Sequence, residues 1–264
     1  MEYTRFKKIL SSMLILIAYI LNAEIISLNN LSDWHTGSSV SETDGILTVN
    51  GSTAFSSKKI FGIDILKSYK LKATVKGKGQ MPIIFCFGFK LFNKQGKAIF
   101  QNNVCNIPDT DTTLVEPAQK GATKISVENA ANWKTAPGNV IAYDTDPSLS
   151  DLPNFNIITI PVQKITKEST AWIIDLKTPL DISLPAGTKI RQHKGGSGYM
   201  YSGGNEQISN DWKTFSGTAT GGLKSGFSGM KFAPGTAKVQ IIMLVNWGNK
   251  NAISELKDIS LEIE

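Results

Sequence analysis

The sequence has 264 residues, of which 41% are hydrophobic, 28 are basic and 22 are acidic, which gives a net charge of +6. The basic residues are scattered and mostly alternate with apolar ones, so there is no dense basic stripe and nucleic acid is not an expected partner. The length suits one large β domain or two small ones.

The N-terminal segment has the layout of a secretory signal peptide. Arg5, Lys7 and Lys8 precede an apolar run from Ile9 to Leu21, and the small residue Ala23 ends it. This pattern predicts cleavage near Ala23, with residues 1–23 outside the fold. The alternative is an uncleaved anchor, but the run is shorter than the ~20 apolar residues of a spanning helix, so no membrane span is expected after cleavage. Cleavage would leave 25 basic and 21 acidic residues, a net charge of +4.

Strand patterns dominate the chain from residue 24 to residue 106. Tyr69 to Lys76 alternates apolar and polar residues, which predicts a strand with one solvated face. The run from Ile83 to Phe92 is apolar on both faces and predicts a central strand, followed by a turn at Asn93–Gly96 and a returning strand. Cys86 and Cys105 flank this hairpin, so a disulfide between them is possible, whereas a bulge near the turn would spoil its geometry.

The middle of the chain has a different texture. From about Ile107 to His193, short strand patterns are separated by Pro and Gly, and a glycine-rich stretch follows from Gly195 to Gly204. A second doubly apolar run, Lys238 to Val245, and an alternating final strand then resume the first texture. The sequence therefore predicts an all-β protein, in which residues 24–106 and 203–264 form one discontinuous sandwich and residues 107–202 form an inserted β subdomain.

Seven segments, taken in order, resemble one family. They are Leu31–Trp34, Asp44–Val49, Tyr69–Lys76, Phe92–Lys97, Trp212–Gly217, Pro234–Ala237 and Leu256–Glu262. Together they resemble the jelly-roll, galactose-binding-like carbohydrate-binding modules that are attached to bacterial xylanases and β-glucanases. The resemblance covers roughly residues 25–105 and 205–264 and implies an antiparallel jelly-roll β-sandwich.

The resemblance also implies a structural calcium ion, because modules of this family commonly carry one near their terminal strands. Asp258 matches the acidic position in the closing strand, and Glu24 is a candidate oxygen donor on the first strand. The alternative for Asp258 is a side chain that simply faces water.

Patterns that predict an enzyme are weak. The two histidines, His35 and His193, are far apart in sequence and have no metal-ligand spacing. Asp144, Asp146 and Asp151 form the densest acidic cluster, which is interpreted as a solvated loop because it lacks the pattern of a calcium loop. A carboxylate pair that is close only in space remains possible.

Aromatic residues are the better candidates for ligand contacts, since the apolar face of a sugar ring stacks on Trp and Tyr. Trp34, Trp212 and Trp172 are interpreted as core residues, and Trp133 as a possible lid. The predicted carbohydrate-binding residues follow an apolar strand or lie in the glycine-rich stretch: Trp247, Asn246, Asn249, Tyr199 and Tyr201.

The leading interpretation is a non-catalytic polysaccharide- or oligosaccharide-binding module that is secreted, periplasmic or at the cell surface. One alternative is a structural or adhesive module that binds a protein partner. The other is a polysaccharide-degrading enzyme with dispersed carboxylates.

Overall fold

In a computed structural model of the chain, residues 23–78 and 83–264 can be described. The predicted signal peptide lies, except for Ala23, outside this range. The described residues are almost entirely β, and every pair of neighbouring strands is antiparallel, so the predicted all-β sandwich class is confirmed. No helix in this range is long and apolar enough to cross a membrane.

The segment before the insert supplies eight strands and two short helical turns. The strands are β1 (Glu24–Ser27), β2 (Trp34–His35), β3 (Val40–Thr43), β4 (Ile46–Asn50), β5 (Thr53–Gly62), β6 (Ser68–Lys78), β7 (Ile84–Phe92) and β8 (Ala98–Ile99). The helical turns are a 3-10 turn (Leu31–Asp33) and α1 (Gln101–Val104).

The regular elements described in the rest of the chain are eleven strands, joined by turns and loops. Those of the insert are β9 (Thr112–Thr113), β10 (Lys124–Val127), β11 (Asn139–Tyr143), β12 (Ile157–Ile158), β13 (Val162–Lys167), β14 (Trp172–Leu176) and β15 (Lys189–Lys194). The last four are β16 (Met200–Gln207), β17 (Lys213–Thr220), β18 (Lys238–Trp247) and β19 (Ile253–Ile263).

Two sheets form the sandwich. Sheet A has the order β17-β6-β19-β4-β3, with β1 against β19, and sheet B has the order β16-β7-β18-β5-β2, with β8 against β7. Alternation along each strand sends one set of side chains inward. The core between the sheets therefore contains Trp34, Tyr69, Phe85, Phe87 and Phe89, all with almost no solvent exposure.

The insert has its own hydrophobic core. Its strands form a three-stranded sheet, β10-β14-β13, and a four-stranded sheet, β12-β11-β15-β9. Trp133 is buried in this core and its Nε1–H donates to the carbonyl of Thr110 at 2.7 Å, so it is a structural residue and not a lid. Trp172 packs at the edge of the same core.

Two chain segments running side by side join the insert to the sandwich. Asn106 and His193 form an antiparallel bridge, the amide of Ile107 donates to the carbonyl of Gln192, and that of Lys194 donates to the carbonyl of Cys105. Strand β16 already belongs to sheet B, because Met200 pairs with Phe89. The sandwich thus resumes at residue 200, slightly before the boundary at 203 that the sequence indicated.

Cys86 and Cys105 both carry free thiols. Strand β8 is only two residues long and leads into α1, so the chain turns away before Cys105 can lie opposite Cys86. Burial raises the pKa of both thiols, so each stays protonated at neutral pH.

A fully buried arginine organises the junction between the insert and the sandwich. The guanidinium of Arg191 pairs with Asp151 at 2.6 Å, donates to the carbonyl of Asp146 at 2.9 Å and donates through Nε to Nε2 of His193 at 2.8 Å. The loop predicted to be solvated is therefore fixed by this arginine. Nδ1–H of His193 in turn donates to the carbonyl of Asn102 in α1 at 2.7 Å.

These contacts make the stability of the protein depend on pH through His193. Burial lowers the pKa of His193 from 6.5 to about 4; the hydrogen bond to Asn102 opposes this shift and the charge of Arg191 adds to it. As the pH falls below 6.5, His193 takes up a proton in the unfolded chain but not in the folded one. The free energy of unfolding is therefore highest above pH 6.5 and decreases as the pH falls toward 4. The loss should reach roughly 3 kcal/mol.

Urea unfolding at several pH values measures this loss. His193→Gln should show a shallower decline in unfolding free energy between pH 6.5 and 4 than the wild type, whereas His35→Gln, at an exposed position, should keep the wild-type slope. Equal slopes for all three proteins would contradict the role given to His193.

The separate cores predict that the sandwich can fold without the insert. Because Ile107 and Gln192 are held by a backbone hydrogen bond, an Asn-Gly turn can replace residues 108–191. The shortened protein should give a β-type circular dichroism spectrum and one cooperative melting transition. Failure of several linker designs to give a folded product would show that the sandwich needs the insert.

Candidate functional site

The outer face of sheet B carries a continuous set of apolar and aromatic side chains. Residues directly opposite each other on antiparallel strands lie on one face, and the register places Trp247 opposite Ile84, Leu244 opposite Cys86 and Tyr201 opposite Gly88. The surface, called the aromatic face below, consists of Tyr199, Tyr201 and Gln207 from the β16 segment, Ile84, Cys86 and Lys90 from β7, and Gln240, Ile242, Leu244 and Trp247 from β18.

The floor of this face is a small hydrophobic cluster. Cys86, Ile242 and Leu244 are buried there, with Ile84 and Tyr199 packed against them. Such a cluster stands apart from the main core, so its burial depends on the side chains packed against it, Ile84 and Tyr199. An apolar floor bordered by exposed rings is the composition expected of a binding surface.

Trp247 stands at one end of the aromatic face, where β18 ends. Its side chain is 53% exposed. The register between β18 and β7 shifts between Leu244 and Trp247, which bends the strand and turns the indole onto the outer face. The structure thus places this predicted residue at the rim of the sandwich.

Asn246 does not belong to the site. It is fully buried, and its Nδ2 donates to the carbonyls of Val49, Gly51 and Ala252, while its Oδ1 accepts from Ser254. Its φ of 57° is the left-handed conformation that asparagine tolerates better than most residues. The prediction that it contacts a ligand is wrong, since its carboxamide is already used to hold the strand ends together.

The two tyrosines lie on the other side of β7. Their ring centroids are 6.2 Å apart at an edge-to-face angle, and Tyr201 is 39% exposed. The ammonium of Lys90 lies 5.8 Å from the ring centroid of Tyr199 and 3.4 Å from Oγ of Ser56. The glycine-rich stretch therefore does bring both predicted tyrosines to the face that carries Trp247.

Gly88 allows β16 to lie close enough to present Tyr201. A Cβ atom at position 88 would lie 1.9 Å from the carbonyl oxygen of Met200. Because that oxygen belongs to the backbone, it could move away only if β16 moved with it. Two register shifts in β16 adjust its path along β7.

The two aromatic platforms are separated diagonally. Trp247 lies opposite Ile84 and Tyr201 lies opposite Gly88, so the two side chains are four residues, or about 13 Å, apart along β7. They belong to strands on opposite sides of β7, so they are also about 10 Å apart across the sheet. A single sugar ring cannot bridge this gap, whereas an oligosaccharide chain can.

The sequence patterns did not assign the floor or the polar residues of the face to the site. Ile84, Cys86, Ile242 and Leu244 occupy alternate positions of the two apolar runs, and all but Ile84 are buried, as runs apolar on both faces predict. The signal for the floor was this second apolar set, which a strand at the surface of a sandwich does not need for its core.

Two other predicted residues have different surroundings. Asn249 is half-buried in the turn after β18, where its Oδ1 accepts from the amide of Asn251 at 3.1 Å. Trp212, interpreted as core, is half-buried beside sheet A, with the ammonium groups of Lys76 and Lys257 each 4.6 Å from its ring centroid.

The residues named for calcium do not lie together. Glu24 is opposite Ile263, and Asp258 lies five positions earlier on β19, at a separation of about 15 Å. Two donors on one calcium ion must each lie within about 2.6 Å of it, so these side chains cannot share an ion. Among the described residues, no group of three or more His, Cys, Asp and Glu side chains is arranged to hold a metal.

Comparison with known proteins gives only distant likenesses. No known family matches the sequence, and no curated protein matches it. Two similar solved structures are a proposed glycosyl hydrolase from Parabacteroides distasonis and the carbohydrate recognition domain of Emp47p. The hydrolase is 13% identical, with a TM-score of 0.28, and the match covers 90% of this chain and 98% of the hydrolase chain. The Emp47p domain is 14% identical, with a TM-score of 0.30, and the match covers 90% of this chain and 93% of the domain. Likenesses of this strength carry no argument about the chain.

The structural role of Asn246 can be tested by substitution. Asn246→Ala removes the four side-chain hydrogen bonds, leaves the buried hydroxyl of Ser254 without its acceptor and places alanine at a φ of 57°, which should lower the free energy of unfolding by about 3 kcal/mol. Asn251→Ala, at an exposed position in the same turn, serves as the control. Thermal denaturation that gives equal melting temperatures for the two variants would contradict this role.

Proposed function

We propose that the protein is an exported, non-catalytic module that binds an oligosaccharide or polysaccharide chain on the aromatic face. The observation that supports this most strongly is the presence of Trp247, Tyr199 and Tyr201 together on one open sheet face. Rigid aromatic rings lose little conformational entropy on binding and offer flat apolar surfaces to sugar rings.

The polar residues of the face suit the hydroxyl groups of a sugar. The ammonium of Lys90 carries three donors, and Gln240 and Gln207 have amide groups that can donate and accept. Lys90 is held near Ser56 and Tyr199, so part of its ordering cost is already met before a ligand binds.

Binding without cleavage is favoured by the charges of the face. In the described parts of β16, β7 and β18, the side chains of the aromatic face include Lys90 and no carboxylate. Most glycoside hydrolases need two carboxylates that flank the scissile bond. The signal-like segment 1–23 supports export, which would place the module where polysaccharides are found.

The separation of the two platforms favours a chain over a monosaccharide. A ligand long enough to contact both Trp247 and Tyr201 gains from two stacking contacts, whereas a single ring can use only one at a time. Affinity should therefore rise with oligosaccharide length until both platforms are occupied.

Affinity electrophoresis against a panel of soluble polysaccharides tests the proposal. At least one polysaccharide should retard the wild type, and Trp247→Ala should weaken that retention by about 1–3 kcal/mol, or roughly 5- to 150-fold in the dissociation constant, by analogy with other ring-stacking sites. The melting temperature should change little, because an exposed rim residue leaves no large cavity.

Trp212→Ala is the matched control, since it removes an indole from the other sheet. It should leave retention unchanged. Equal loss in both variants, or retention that survives Trp247→Ala, would contradict the proposed surface. New reducing ends or unsaturated products in the same samples would show that the protein is an enzyme.

A further inference from the structure

Lys90 of the aromatic face and its neighbour Lys238 carry positive charges that no nearby carboxylate balances. Lys90 on β7 is half-buried and Lys238 on β18 is exposed. Lys238 lies on the same side of the sheet, because it is two residues before Gln240 on β18. Neither lysine forms an ion pair with any residue that the structure describes. One end of the face is therefore positively charged.

The ammonium of Lys90 is held over the middle of the sheet. It lies 3.4 Å from Oγ of Ser56 on β5 and 5.8 Å from the ring centroid of Tyr199. Since β18 separates β7 from β5, the lysine side chain crosses β18 near Ile242, the buried floor residue opposite Ser56. An apolar floor screens charge less than water does, so an anion is attracted to this ammonium more strongly than to a fully solvated one.

Both lysines are close to the more exposed tyrosine. Tyr201 is opposite Gly88, two residues from Lys90 on β7, so Tyr201 and Lys90 are diagonal neighbours about 7–8 Å apart. Lys90 is opposite Gln240, so Lys238 is a diagonal neighbour of Lys90 in the same way. Long side chains can meet across this distance, so a sugar ring stacked on Tyr201 brings its substituents near the ammonium of Lys90.

The outer face of sheet A has a different charge pattern. Strand β6 carries four lysines, and three of them pair with glutamates of β19. Glu255 pairs with Lys76 and Lys78, and Glu262 pairs with Lys70 at 3.3 Å. These lysines are balanced within the protein, whereas the charges beside the tyrosines are left for a ligand.

We infer that the aromatic face selects a polysaccharide with carboxylate groups, in which one uronic acid unit stacks on Tyr201 and its carboxylate accepts from the ammonium of Lys90. Lys238 adds to the attraction. The inference rests on the proposed function, because it names the kind of chain that the aromatic face binds. Hydrogen bonds between charged groups are roughly twice as strong as neutral ones, so the acidic unit is preferred to its uncharged counterpart. The exposed rings of Tyr201 and Trp247 suit sugar rings, which favours an acidic glycan over an acidic protein.

Calorimetric titration of the full chain tests the inference. The probes are oligosaccharides of polygalacturonate, alginate and hyaluronan, each beside its carboxyl-reduced form, which keeps the linkages and lacks the charge. At least one acidic form should bind more tightly than its reduced form. Lys90→Gln should weaken binding of that acidic form by about tenfold or more and leave binding of the reduced form unchanged. Lys238→Gln should cause a smaller loss, because salt screens an exposed charge more.

Lys72→Gln is the matched control, since it removes one positive charge from an exposed position on the other sheet. It should bind the acidic form as the wild type does. Equal losses in Lys72→Gln and Lys90→Gln would overturn the inference, because net charge alone would then explain the attraction. If Lys90→Gln does not fold, the comparison of Lys238→Gln with Lys72→Gln makes the same test.

Failure of the inference can be told apart from failure of the proposed function. Reduced chains that bind as tightly as acidic ones, and lose affinity in Trp247→Ala, would overturn the inference and leave the aromatic face as the glycan site. Absence of binding to all three acidic chains would also overturn it, while retention by another polysaccharide would leave the proposed function standing. Binding of acidic chains that needs Lys90 but not Trp247 would support the inference and contradict the surface with two platforms.

Discussion

The pairing of β7 with β18 is the contact on which the rest of the structure depends. These two neighbouring strands of sheet B carry apolar residues on both faces. Their inner residues, including Phe85, Phe87 and Phe89, fill the space against sheet A. Their outer residues, including Cys86 and Leu244, form the floor of the aromatic face. A single register therefore sets both the stability of the sandwich and the position of the candidate site.

This double use explains which features could be predicted from the sequence. The alternation in Tyr69–Lys76 and the two apolar runs are local patterns, and they correctly gave the strands and the sandwich class. The position of Trp247 after an apolar strand also indicated a rim residue. The burial of the outer apolar set was also predicted, and Cys86, Ile242 and Leu244 are buried. The pattern could not show that these residues form the floor of an open face.

The errors have a common physical cause, which is that they depend on contacts between distant parts of the chain. Asn246 looked like a ligand-binding amide, but its acceptors are backbone carbonyls that the fold brings to it. Asp258 and Glu24 looked like metal ligands, but the register of β1 against β19 separates them. No local pattern indicates the role of Arg191, which binds the loop 144–153 and His193. His193 in turn donates to Asn102 in α1.

Tryptophan indole N–H resonances give the most direct measurement of the central claim that the aromatic face binds the glycan. The protein has five tryptophans, and the structure places them in different settings. Titration of ¹⁵N-labelled protein with the oligosaccharide of the retained polysaccharide should shift the Trp247 resonance and leave those of Trp212, Trp34 and Trp133 in place. A shift at Trp212 with none at Trp247 would contradict the account, because the ligand would then lie beside sheet A.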